Sequence, residues 1–389
     1  MNQPILDAAR SIAKPGAFNL RDPQAVPASL QGMRIVSADN HLCLGGEDVW
    51  YNRVPEHIKG RVPRVWFDRE KDLWMTGFDG KTLYPFGSEA FVHTMEGREG
   101  AWNVDVRTAD LAGEGVSKEI AFPQLLPVFF THPDLEVREW IFRAYNQYLA
   151  ELQARQPCHF YGVGIPNYWQ PYMARESIQE IVALGLKTFM LPSMPGRFAD
   201  GSEIHYADAA MEPLWNAIEE AGLPVCFHIG ENITVEGRGA LAITALNSLG
   251  AIYFRRNFGQ MVFGGILDRN PGLKVVFCEG NLHWIPGMLQ DAETIYDSFG
   301  EVIDELPRRR PSEYWSEHCY ATFMHDPAGL ALIDRIGADR VMWSSDYLHN
   351  EGTFGYSADV MVGILQAVGP DKARNILGET AIRVFGLER

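Results

Sequence analysis

Residues 223–230 read Leu-Pro-Val-Cys-Phe-His-Ile-Gly, and residues 273–280 read Leu-Lys-Val-Val-Phe-Cys-Glu-Gly. Each is a short apolar run without alternation that closes on a histidine or a carboxylate and then a glycine. A strand with one wet face alternates polar and apolar residues, whereas an unbroken run belongs to a parallel strand covered on both sides. Working outward, similar runs recur at 33–39, 119–123, 159–166, 187–192, 318–323 and 340–346, which with 224–230 and 274–280 makes eight. Between them, apolar residues take helical spacing at 136–155, 173–184, 209–221, 240–268, 285–299 and 328–336. Eight strands interleaved with helices predict an α/β protein, a (β/α)8 TIM barrel whose active site lies at the C-terminal ends of the strands.

The barrel is expected over 33–389. Residues 42–118 break its rhythm after the first strand and contain Trp50, Trp66, Trp74 and Trp102, so they read as an insertion over the barrel mouth. Such a segment supplies either an aromatic pocket wall or a side layer unrelated to substrate. Residues 1–32, rich in Pro, Ala and Gln, read as an N-terminal arm suited to clasping a neighbouring subunit. With 50 acidic against 34 basic residues the chain carries a net charge of −16, and no basic stripe is present to neutralise phosphates. A nucleic-acid partner is therefore not expected. No run reaches the roughly 18 apolar residues of a membrane span, and residues 1–16 lack the apolar region of a secretory signal. With five scattered cysteines as well, a cytoplasmic enzyme is the simplest reading.

The polar residues at the strand ends carry the chemistry. Asp39 and His41 alternate on the first strand and so share a face. His228 closes the fifth strand, Glu279 the sixth and Asp346 the eighth, while His283 and His349 follow a few residues later. Taken singly, His228 reads as a core histidine, Glu279 as an arginine's partner, and Asp39 or Asp346 as a helix cap. Their concurrence at one end of one barrel favours a site instead, and a mixed imidazole and carboxylate set suits Zn²⁺, Mn²⁺ or Fe²⁺. His57, His93, His132, His205 and His325 fall away from the strand ends and read as structural. Arg255 and Arg256 are suited to a substrate carboxylate or, more simply, to a helix surface.

The stretches IVSADNH, VCFHIGE, LKVVFCEGNLHWIPGML and VMWSSDYLHNEGTF, with the terminal NILGETAIRVFGL, resemble the amidohydrolase superfamily. The likeness is to its branch containing the aminocarboxymuconate semialdehyde and resorcylate decarboxylases, and it spans about residue 33 to the end, with 42–118 matching poorly. It implies that Asp39 and His41 fill the two ligand positions of the strand-one motif, His228 that of strand five and Asp346 that of strand eight. Lys187 lies at the wrong end of strand four to serve as the superfamily's metal-bridging lysine.

Decarboxylases of this branch carry a histidine where this chain has Glu279, an anion that would repel a substrate carboxylate unless neutralised. Counting His283, the set becomes Asp39, His41, His228, Glu279, His283 and Asp346, too many for one tetrahedral ion but suited to two divalent ions bridged by a carboxylate. That set is similar to a dinuclear non-haem monooxygenase offshoot of the superfamily. The reading placed first is accordingly a monooxygenase with two ions, Fe or Mn/Fe, that uses O₂ to hydroxylate an aliphatic C–H of a small molecule. Asp346 and His349 would be its catalytic residues. The alternatives are a metal-dependent hydrolase, using Zn, and a non-oxidative decarboxylase of a hydroxy-carboxylate. The resemblance further implies a homo-oligomer or a paralogous partner subunit.

Overall fold

The computed structural model describes residues 22–83, 98–230, 237–249, 252–303, 306–349 and 351–388. Among the described residues eleven strands are formed: β1 (Ile35–Leu42), β2 (Arg64–Asp68), β3 (Leu73–Phe78), β4 (Lys81–Leu83), β5 (Val116–Pro123), β6 (Phe160–Gly162), β7 (Phe189–Leu191), β8 (Val225–His228), β9 (Val275–Cys278), β10 (Cys319–Phe323) and β11 (Val341–Trp343). All eight expected strands are present, as β1 and β5 to β11, although most are shorter than the apolar runs that announce them. Every residue of β1, β8, β9 and β10 is buried, which is why the runs of β8 and β9 show no polar alternation, while β1 buries its polar Ser37, Asp39 and His41 as well.

The eight strands pair in parallel as two sheets, β1-β5-β6 and β11-β10-β9-β8-β7. The expected barrel is thus met in strand number and order, but its ladder is interrupted twice. At one seam Gly164 bridges Phe189 in parallel. At the other, Asp346 N donates to Asp39 O (3.1 Å) and His41 N to Tyr347 O (3.1 Å). The second seam therefore runs through the residues that matter most to the site.

The helices follow from capping and spacing. Asp134 caps Leu135–Arg155 by accepting from Val137 N (3.1 Å), and Ile141, Phe142, Tyr145, Tyr148, Leu149 and Leu152 bury one face. Each such side chain contributes roughly 1.5–3 kcal/mol of burial. The expected helix 240–268 is three helices, Ala240–Leu249, Ile252–Val262 and Ile266–Arg269. The last break falls at Gly265, in the left-handed region (φ 68°), beside Gly264, where a Cβ would lie 2.4 Å from Ala207 Cβ. The expected helix 328–336 likewise divides into Pro327–Leu330 and Ile333–Ile336.

The segment between β1 and β5 forms the antiparallel sheet β2-β3-β4 and the helix Val104–Gly113. Its tryptophans do not act as one wall. Trp50 is fully buried and donates through Nε1 to Ile141 O (2.9 Å), whereas Trp66 is 37% exposed. Trp102 and Trp74 press on Gly45, where a Cβ would meet the two rings at 2.6 and 3.0 Å. Phe78 of β3 contacts Phe129 and His132 of the segment that follows β5.

Of the expected arm, residues 1–21 lie outside the described residues. Pro23 and Val26 lie against Gly113 and Gly115. Cys43, Cys226, Cys278 and Cys319 are buried free thiols and Cys158 is exposed. Among the described residues, no helix is long and apolar enough to cross a membrane.

Candidate metal centre

Asp39 and His41 stand on β1, which is irregular between Ser37 and Asn40, where its register with β5 shifts. A bulge of this kind re-aims side chains. Here both groups join His228 at the end of β8 and Glu279 just beyond β9. His41 Nε2 lies 3.2 Å from Glu279 Oε2 and 3.5 Å from Asp346 Oδ1. His228 Nε2 lies 3.1 Å from Glu279 Oε2 and 3.3 Å from Asp39 Oδ1. His349 Nδ1 lies 3.0 Å from Asp346 Oδ1 and 3.3 Å from Glu279 Oε1, and its ring stacks on that of His41 at 3.9 Å. All six residues are buried.

Of the residues expected to form the site, Asp39, His41, His228, Glu279 and Asp346 are brought together, with His349 among them. His283 is not, and its expected place as a metal ligand is corrected. Glu279 and Asn281 adopt left-handed backbone (φ 65° and 57°), which turns the chain away from the cluster. His283 instead sets Nδ1 3.2 Å from Asp326 Oδ2, with nearly half its side chain exposed. His93 lies outside the described residues.

The ligand atoms form two overlapping sets of four, Asp39, His41, His228 and Glu279, and His41, Glu279, Asp346 and His349, each within 4.8 Å of one another. Donors about 2.0–2.2 Å from one ion would stand roughly 3–4.4 Å apart, so either set is sized to close on a divalent cation. Two further observations fit such an ion. Neither Asp346 oxygen nor His41 Nδ1 meets hydrogen-bond geometry with a partner among the described residues, although all three are buried. The donors are also pre-aimed. His228 Nδ1 donates to Ile229 O (2.7 Å), directing its Nε2 lone pair inward, and His349 Nε2 faces Gln124 Oε1 (2.9 Å), leaving Nδ1 toward the carboxylates.

Burial sets the protonation of the ion-free cluster. It raises Asp39, and it raises Asp346 well above the usual carboxylate range with help from the Glu279 charge. It also drives His41 well below its usual value, with the His349 cation adding to the effect. Burial opposes the cations of His228 and His349 too, but Asp39 beside the first and Asp346 beside the second hold them well above. Glu279 is held well below its usual value against its burial by His349, His228 and His41. The anion that set this chain apart is thus ringed by three imidazoles.

Several supporting residues gave no sign in the sequence. Thr322 Oγ1 donates to Asp39 Oδ2 (2.9 Å) and accepts from Glu279 N (2.7 Å). Asn40 Oδ1 accepts from Tyr347 N, Ser37 Oγ and Ser345 Oγ, each at 2.8 Å, tying β1 to the loop after β11. Arg107 donates to His41 O (2.7 Å) and pairs with Glu119 through two bonds of 2.6 Å, wholly buried. Past Asp346 the loop closes on Gly352, where a Cβ would lie 2.3 Å from Asp346 O, 2.9 Å from Ser345 O and 3.0 Å from His349 O.

With this geometry in hand, the comparisons are consistent. The model of the Amidohydrolase family matches residues 125–387, about two thirds of the sequence, and the chain belongs to that family. It is thus an enzyme of the amidohydrolase superfamily. The chain is 22% identical over 296 residues to a 2-amino-3-carboxymuconate-6-semialdehyde decarboxylase of Dictyostelium discoideum, covering 74% of this chain and 77% of that one. Among solved structures it shares its fold with an amidohydrolase from Mycobacterium avium subsp. paratuberculosis (TM-score 0.71, 18% identity, 91% of this chain and all of that one). It also shares it with a dihydroxybenzoic acid decarboxylase from Polaromonas, solved with bound manganese and 2-nitroresorcinol (TM-score 0.62, 18% identity, 92% and 98% covered).

Proposed function

We propose that the chain is a divalent-metal-dependent, non-oxidative decarboxylase of a small hydroxy-aromatic or related unsaturated carboxylate. The observation that carries this reading is the enclosure of Glu279 by the imidazoles of His228, His41 and His349 at 3.1 to 3.3 Å in two shared ligand sets, where a bound cation would offset the charge that would otherwise repel the substrate. The named decarboxylases among the relatives support it, and oxygenation, the reading placed first from sequence, draws no support from them. Asp39, His41, His228, Glu279 and Asp346 would hold the ion, with Mn²⁺ the candidate suggested by the Polaromonas relative. When bound, it supplies positive charge against the substrate's carboxylate and neighbouring oxygen.

The protein's own groups do the rest. In the reaction the C–COO⁻ bond breaks, CO₂ departs, and the electron pair left on carbon takes up one proton. Asp346 and His349, 3.0 Å apart, are the groups placed to hold that proton and deliver it. Phe122, whose ring lies 4.6 Å from that of His228, keeps one flank apolar. The test is to load the protein with Mn²⁺, exclude O₂ and supply 2,6-dihydroxybenzoate and related hydroxybenzoates in deuterated water. The expected result is CO₂ release with deuterium at the vacated carbon. A Mn²⁺-loaded protein inert to the whole panel would overturn the reading.

One observation favours a second reading. Two ligand sets sharing His41 and Glu279 are what a pair of ions would need. Iron-loaded protein holding about two ions per chain and consuming O₂ with an aliphatic substrate would favour the dinuclear monooxygenase.

A further inference from the structure

The two carboxylates of one ligand set, Asp39 from β1 and Glu279 from beyond β9, are joined through a single hydroxyl on a third strand. Thr322 lies on β10, fully buried, and its Oγ1 is committed on both sides. It accepts from Glu279 N at 2.7 Å, so its own proton is left to donate to Asp39 Oδ2 at 2.9 Å. These two bonds have separate consequences. The first fixes the backbone at Glu279, a non-glycine residue at φ 65° that needs an anchor to stay in the left-handed region. The second engages the outer oxygen of Asp39 and thereby turns Oδ1 toward His228 and the shared ligands.

We infer that Thr322 is a positioning residue of the metal centre, whose hydroxyl sets the aim of Asp39 and Glu279 together. The inference rests on the reading of this cluster as a metal site. Its effect belongs to metal affinity first, because a mis-aimed ligand weakens coordination whatever the chemistry that follows. Groups that orient metal ligands in this way typically govern affinity by a factor of 10 to 100.

The experiment titrates Mn²⁺ into metal-free full-length protein and into Thr322→Val, Thr322→Ser and Thr322→Ala, with thermal unfolding recorded on the same samples. Valine keeps the shape without the hydroxyl, while serine and alanine both lack the methyl and differ by the hydroxyl alone. The expected result is Mn²⁺ binding weakened about 10- to 100-fold in the valine and alanine variants and largely recovered with serine. Should the valine variant fail to fold, the serine and alanine pair decides. Equal affinity in serine and alanine, or a lowered melting temperature with unchanged affinity, would overturn the inference and reduce Thr322 to a packing residue. Wild-type protein that binds no Mn²⁺ would overturn the metal site itself, an outcome recognisable before any variant is measured.

Discussion

The two halves of the cluster use the same residue types and are built differently. On the Asp39–His228 side both groups stand on strands. Asp39 Oδ1 faces His228, Asp39 Oδ2 accepts from Thr322, and His228 Nδ1 is fastened to Ile229 O. On the Asp346–His349 side both groups lie on the loop beyond β11. Asp346 adopts left-handed backbone (φ 51°), and neither of its oxygens meets hydrogen-bond geometry with a partner among the described residues. One half is organised to hold its shape. The other sets its carboxylate 3.0 Å from an imidazole, an arrangement suited to exchanging a proton as well as to holding an ion.

The sharpest way to break that comparison is to remove charge from each half in turn. Asp346→Asn keeps the side-chain shape and should lower turnover by about 10²- to 10⁴-fold, the usual worth of a positioned acid or base. Asp39→Asn should act chiefly on Mn²⁺ affinity, leaving turnover of the fully loaded enzyme closer to wild type. Equal losses of affinity in both, measured by titration, would show that the halves are equivalent.

A smaller effect is expected at Gln124, which meets His349 Nε2 at 2.9 Å. Gln124→Leu removes one hydrogen bond, about 1 kcal/mol or somewhat less than tenfold in rate, and should lower kcat more than metal content. The smallest effect is expected at His283, outside both ligand sets. The Asp326 bond raises the imidazole pKa, so its stabilisation is present below the unfolded value near 6.5 and lost as pH rises through the folded one. Because this side chain is nearly half exposed, screening keeps the pair below about 1 kcal/mol. His283→Ala should therefore lower the melting temperature slightly at pH 6, less at pH 8, and leave metal binding intact.

The contrast also explains what was legible in the sequence. Strands buried on both faces tend to announce themselves as apolar runs, plainest at β8 and β9, so the eight strands could be read, and with them Asp39 on β1 and His228, Glu279 and Asp346 at or just beyond strand ends. His283 misled because nothing in Glu279-Gly280-Asn281 signals that two non-glycine residues turn left-handed and carry the chain away. Thr322, Asn40 and Gln124 were silent for a different reason. Neutral polar residues are common, and these matter chiefly through partners far away in sequence, 283 residues in the bond from Thr322 to Asp39. The sheet β2-β3-β4 was missed because its strands are short and half-exposed, so they offer neither an apolar run nor a clean alternation.

Gly352 has a bearing on how this catalyst could be diversified. Three backbone carbonyls crowd the point where its side chain would begin, and one of them belongs to Asp346. Backbone cannot step aside as a flexible side chain can, so any bulkier residue there would drag the acidic loop with it. A library seeking new substrates can vary the walls contributed by other strands, but it must hold this position as glycine or forfeit the chemistry it hopes to redirect.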